Sequence, residues 1–151
     1  MRSFYTIKIA FFGILVFTLT AVSFAQDCTD FHKFHCAYSD YTFFYSRQSK
    51  SFLFRKGQTA EVQIVAYAGE EYYLSVCGAR KLGTIRFRIL SDDNERTVLF
   101  DNAENDYQSS ISFVNEATSN LVIELSSADA ASRESKDTGC LGLVVQFRKV
   151  Q

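Results

Sequence analysis

In the stretch TIRFRIL, residues 84–90, Ile85, Phe87 and Ile89 alternate with Arg86 and Arg88. A period of two places the apolar side chains on one face of a strand and the arginines on the other, as a sheet with one wet side requires. The same alternation recurs from residue 51 onward. It predicts strands over 51–54, 60–67, 72–77, 84–90, 97–100, 110–114, 120–125 and 140–147. The connections carry turn chemistry: Arg55-Lys56-Gly57, Ala68-Gly69-Glu70, Gly78 through Gly83, Ser91 through Asn94 and Asn115-Glu116. No helical period separates the strands, which disfavours a doubly wound sheet. The pattern predicts an all-β chain, an antiparallel, jelly-roll-like β-sandwich of about eight strands with a short N-terminal helix.

Two segments depart from that alternation. In TDFHKFHCAY, Phe31, Phe34, His35 and Tyr38 fall at i, i+3, i+4 and i+7, with Thr29 or Asp30 placed to cap, which predicts the short helix. Residues 41–45 either extend it or form a first strand, and propensity favours the strand. The polar connection 126–139 is the longest loop. At the start of the chain, Arg2 and Lys8 precede an apolar run from Ile9 to Val22 that closes on Ser23-Phe24-Ala25. That is the layout of a secretory signal peptide over residues 1–25, and the run is short of the roughly 20 residues of a membrane span. Residues 26–151 then form one domain. Loss of Arg2 and Lys8 takes the formal net charge from −1 to −3, which gives no electrostatic footprint for nucleic acid.

All four cysteines, Cys28, Cys36, Cys77 and Cys140, lie beyond the leader, and an even count in an oxidising compartment reads as two disulfides. Parity puts Tyr72, Leu74 and Val76 on the core side and Cys77 opposite. In the last strand it puts Leu141, Leu143, Val145 and Phe147 inward and Cys140 outward. Two outward cysteines at the end of one strand and the start of another favour a Cys77–Cys140 bridge, leaving Cys28 with Cys36. Bridges from Cys36 to Cys77 or to Cys140, tying the helix to the sheet, are the alternatives.

The remaining candidates are weaker. Cys28, His32, His35 and Cys36 have the residue types of a zinc site but not the finger spacing, and export favours oxidation over metallation. Asp92, Asp93, Asn94, Asp101, Asn102, Glu104, Asn105 and Asp106 are oxygen-rich, with Asp92, Asp93, Asp101 and Asp106 the calcium candidates. They lack a calcium-loop motif, and turns attract the same residues. Arg80, Lys81, Arg86 and Arg88 make a basic strip, most simply read as cross-strand charge pairing. Tyr41, Tyr45, Tyr67 and Tyr73 are candidate platform aromatics, and Tyr73, Arg86 and Arg88 are taken together as a candidate ligand face. No catalytic motif of the paired-carboxylate, Gly-x-Ser-x-Gly, His-Glu-x-x-His or P-loop type occurs, and no cofactor is expected.

The segment QSKSFLFRKGQTAEVQIVAYAGEEYYLSVC, the following LGTIRFRILSDDNERTVLFDN and the terminal GCLGLVVQF resemble a family of small exported proteins of Bacteroidetes-type bacteria. More loosely, the strand, Gly-Gln turn and strand resemble pre-peptidase C-terminal domains. The first resemblance implies a compartment and a shared sandwich, and transfers no catalytic residue. The second implies an accessory binding or targeting module. The expectation is therefore a non-catalytic binding or accessory module of the bacterial cell envelope, periplasmic or extracellular, whose partner is a protein, peptide or glycan. A structural or self-associating envelope component is the alternative, and an enzyme of unknown class is third.

Overall fold

A computed structural model of the chain describes residues 27–129 and 137–150, so the leader and the middle of the long polar connection lie outside the described residues. Helix α1 spans Phe31–His35. Nine strands follow: β1 Phe44–Tyr45, β2 Lys50–Arg55, β3 Thr59–Ala66, β4 Glu70–Gly78, β5 Ile85–Ser91, β6 Val98–Asp101, β7 Ser110–Asn115, β8 Ser119–Ser127 and β9 Thr138–Lys149. Each of the eight predicted strands is present, and β1 arises from the ambiguous 41–45 segment. Gly57 and Gly69, at φ 87° and 74°, turn the chain between β2 and β3 and between β3 and β4, where a Cβ would be strained.

The strands form two antiparallel sheets. In the first, β1 and β2 both pair with β9, followed by β4 and β7; the second runs β3-β8-β5-β6. With β1 set aside, the strands take the order of a jelly roll, consecutive strands alternating between the sheets except for β5 and β6, which pair within the second. Strands β1 and β2 are two halves of one margin, broken between Tyr45 and Lys50. Serines fill the break: Val145 N–H donates to Ser49 Oγ at 2.9 Å, and the Val145 carbonyl accepts from Ser46 N at 2.9 Å and from Ser49 Oγ at 3.1 Å.

Parity decides the core. Tyr72, Leu74 and Val76 of β4, Phe87 and Ile89 of β5 and Leu141, Leu143 and Val145 of β9 all point between the sheets. A side chain of this kind contributes about 1.5–3 kcal/mol when fully buried. The phenol of Tyr72 lies at the rim of this core, where it accepts from Tyr67 N–H at 2.8 Å and donates to Glu70 Oε2 at 2.7 Å. Burial pushes its pKa up to about 12, so it stays a donor.

The helix differs from its prediction. It is five residues long, and His32 and Cys36 face the sheet, while Phe34 is 80% exposed. Neither Thr29 nor Asp30 caps it by a side-chain bond; Asp30 instead takes φ 58° and pairs with Lys33 at 2.9 Å. Apolar spacing over one turn is too little to set a helix's rotation, and here covalent and steric anchors set it.

Candidate interaction site

Residues 28–43 run across the outer face of the first sheet before the chain enters it as β1, and three features hold them there. Two are disulfides, Cys28–Cys140 and Cys36–Cys77. This overturns the favoured Cys77–Cys140 and Cys28–Cys36 pairing; of the alternatives, the Cys36–Cys77 bridge is present. The parity argument placed both strand cysteines on the outer face, but register separates them. Gly142 stands opposite Cys77, and Cys140 stands opposite Leu53 of β2. Cys77 and Cys140 are therefore diagonal neighbours, and each takes its partner from the segment lying above. Gly142 itself is the third feature. A Cβ there would lie 2.8 Å from Cys36 Sγ and 2.8 Å from the His32 Cα, so the bare glycine is the hollow into which the helix settles.

His32, 4% exposed, ties the segment to the sheet margin. Its Nδ1 lies 2.6 Å from Ser51 Oγ and its Nε2 2.7 Å from Tyr45 Oη. Burial lowers its pKa from 6.5, so the neutral ring is favoured. Both ring nitrogens are thus occupied by hydroxyl groups, and among the described residues no three His, Cys, Asp or Glu side chains converge as metal ligands. Further along, Ser39 N–H donates to the buried Gln146 Oε1 at 2.8 Å.

Beyond Gln146 the segment opens into a cleft of about 620 Å³ where β1 meets β9 and β4. Phe44, Phe147 and Val150 give it an apolar floor and rim, and Phe44 is 67% exposed. Arg148 orders its polar wall: it pairs with Glu71 at 2.7 Å, donates to Thr42 Oγ1 at 2.8 Å and lies 4.4 Å over the Phe43 ring. Tyr41, in the turn just before Thr42, is 99% exposed. The guanidinium is thus fixed over the buried Phe43 ring and beside the exposed Phe44.

The ligand face expected from sequence is not one surface. Tyr73 lies on the outer face of the first sheet, edge-on to Phe43 at 6.2 Å. Arg86 and Arg88 lie on the outer face of the second sheet, on the far side of the sandwich. There they serve cross-strand pairs, Arg86 with Asp101 and Arg88 with Glu124. Asp101 is held below the usual carboxylate range by Arg86 and by the Ala103 N–H. The calcium candidates are divided between the two ends of β6. Asp93 accepts from Ser91 Oγ and from the N–H groups of Glu95 and Arg96, Asp101 is committed to Arg86, and Asp92 and Asp106 are exposed. Tyr45 joins His32, and Tyr67 sits in the β3–β4 turn, 56% exposed. Sequence reading does not group Phe44, Phe147 and Arg148: Phe147 reads as an inward residue of the last strand, Phe44 falls in the ambiguous 41–45 segment, and Arg148 lies beyond the predicted end of β9, which continues to Lys149.

No protein-family model and no curated protein matches the chain. Among solved structures it is similar to that of Aeromonas hydrophila PliG, described as a periplasmic lysozyme inhibitor of g-type lysozyme, with a TM-score of 0.52 and 15% sequence identity. The likeness covers 76% of this chain and 87% of that one, and at this identity it concerns the fold. Both chains share a β-sandwich architecture.

Proposed function

We propose that this chain is an exported, non-catalytic module that holds a protein partner on the aromatic end of its first sheet. The observation that carries the reading is the cleft bounded by Phe44, Phe147 and Val150 and walled by Arg148. Exposed aromatics beside a fixed arginine are the composition of binding hot spots, and here disulfides pre-order the backbone that presents them. The two disulfides suit an oxidising compartment, in keeping with the leader read from residues 1–25. Among the described residues no helix is long and apolar enough to cross a membrane.

The fold's likeness to an inhibitor of g-type lysozyme makes a g-type lysozyme the first partner to test. Immobilised chain exposed to purified g-type lysozyme should bind it, and Phe44→Ala with Tyr41→Ala should weaken binding at least about tenfold, as loss of a central aromatic anchor does. Binding that the double substitution leaves unchanged moves the site elsewhere on the molecule. Absence of binding at micromolar lysozyme removes that enzyme as the partner.

A further inference from the structure

Strand β7, SISFVN, is the outer strand of the first sheet, and among the described residues it pairs with β4 alone. Its sequence contains no charged residue and no proline, and its register against β4 is unbroken over six pairs. Free strand margins are normally protected by charge, proline, a bulge or a covering side chain. The other margins of this sandwich have such protection. On β3, the Gln48 side chain accepts from Val65 N–H at 2.7 Å and donates to the Val65 carbonyl at 3.1 Å, occupying one peptide unit as a neighbouring strand would. β6 is four residues long and faces a bulge at Ile89/Leu90. β2 carries Lys50 and Arg55 at its ends.

The direction of β7's free peptide groups follows from its ladder. Val76 N–H donates to the Ser109 carbonyl at 2.8 Å, so 109, 111, 113 and 115 turn their peptide groups toward β4. Those of Ser110, Ser112 and Val114 then point outward. Side chains alternate in the same register, with Ile111 and Phe113 inward against the core and Ser110, Ser112 and Val114 outward.

We propose that β7 pairs antiparallel with β7 of a second copy of this chain, about a two-fold axis through Ser112, joining two first sheets into one. This register sets Ser112 opposite Ser112, Ser110 opposite Val114 and Ile111 opposite Phe113 of the second copy. Every outward peptide group finds a partner, the inner layer meets apolar against apolar, and no two like charges meet. Just outside the strand, Gln108 falls opposite Glu116. The same axis turns together the apolar slots of about 240 Å³ between β6 and β7, lined by Leu99, Phe100 and Phe113, and gives the 57% exposed Leu99 a neighbour. A foreign strand would need the same spacing of small and apolar residues; the chain's own β7 has it in both directions. The interface leaves the Phe44 cleft free, so it does not depend on the partner proposed for that end.

Sedimentation equilibrium tests this without any ligand. The exported chain should show a reversible monomer–dimer equilibrium, and Ser112→Lys, which opposes two ammonium groups across the axis, should weaken the dimer at least about tenfold with an unchanged circular dichroism spectrum. Ser112→Cys should form an intermolecular disulfide on oxidation, since directly opposed residues in such a pair lie about 5.5 Å apart between Cα atoms. Gln63→Cys, on the protected β3 margin, should not. A wild-type chain that stays monomeric at about 1 mM, where even weak complexes form, overturns the proposal. So does a dimer that survives Ser112→Lys, or failure of Ser112→Cys to cross-link. Should Ser112→Lys not fold, the cysteine pair decides alone.

Discussion

The two outer faces of the sandwich solve the same problem by opposite means. The first sheet hides its outer face under residues 28–43, fastened by two disulfides and settled into the hollow at Gly142. The second sheet leaves its outer face wet and lines it with Arg86–Asp101 and Arg88–Glu124. A short segment with one turn of helix cannot bury enough apolar surface to stay in place, so covalent closure supplies what packing does not. An exposed face of paired charges has no such need. The covered face consequently presents ordered aromatics at its end, while the charged face uses its ionic groups on itself.

This contrast can be broken most severely at the staples. Replacing Cys28 and Cys140 by alanine should cost about 4–5 kcal/mol by the chain-entropy model for a separation of 112 residues, and Cys36 with Cys77, separated by 41, about 4 kcal/mol. Urea unfolding of the double variants reads both. Next, Gly142→Ala should cost about 1–3 kcal/mol, because the new methyl meets the His32 backbone, which cannot yield as a flexible side-chain tip does. On the charged face the expected effects are smaller. Arg88→Ala should cost about 1 kcal/mol, as half-exposed ion pairs do, and 1 M salt should reduce the difference from wild type.

The pH dependence sharpens the same comparison. His32 has its pKa lowered from 6.5 by burial. As pH falls from 6.5 toward that lower folded value, the unfolded chain takes up a proton that the native state resists, and stability falls. Asp101 has its pKa lowered from 3.8 by Arg86, so its contribution persists above 3.8 and is lost as pH drops through the lower folded value. The covered face should therefore weaken first on acidification and the charged face later. His32→Gln should flatten the upper part of a thermal-stability profile against pH and leave the lower part, and Asp101→Asn should do the reverse.

Strand positions, core faces and the pairing role of Arg86 and Arg88 were legible because they depend on period two, a local property of the backbone. Reading parity in β4 and β9 placed Cys77 and Cys140 on the outer face. Their partners were not legible, because a shift of two residues in register keeps parity and changes the neighbour. The roles of Gln48, Ser49 and Ser51 are intelligible only in space: Gln48 occupies Val65, Ser49 fills the break opposite Val145, and Ser51 holds His32. The expected grouping of Tyr73 with Arg86 and Arg88 failed for a related reason. Strands β4 and β5, adjacent in the chain, belong to different sheets, so side chains that share an outward parity stand on opposite sides of the molecule.

By itself, then, the order of residues determined an all-β chain, the inward set of each strand and the placement of two cysteines outside the core. These follow from alternation and turn chemistry acting over a few residues. The tertiary structure alone decided which cysteines join, how the helix is rotated, where Phe44, Phe147 and Arg148 come together and which margin is left bare. Each of those depends on register and layer assignment between residues far apart in sequence, and no local periodicity encodes them.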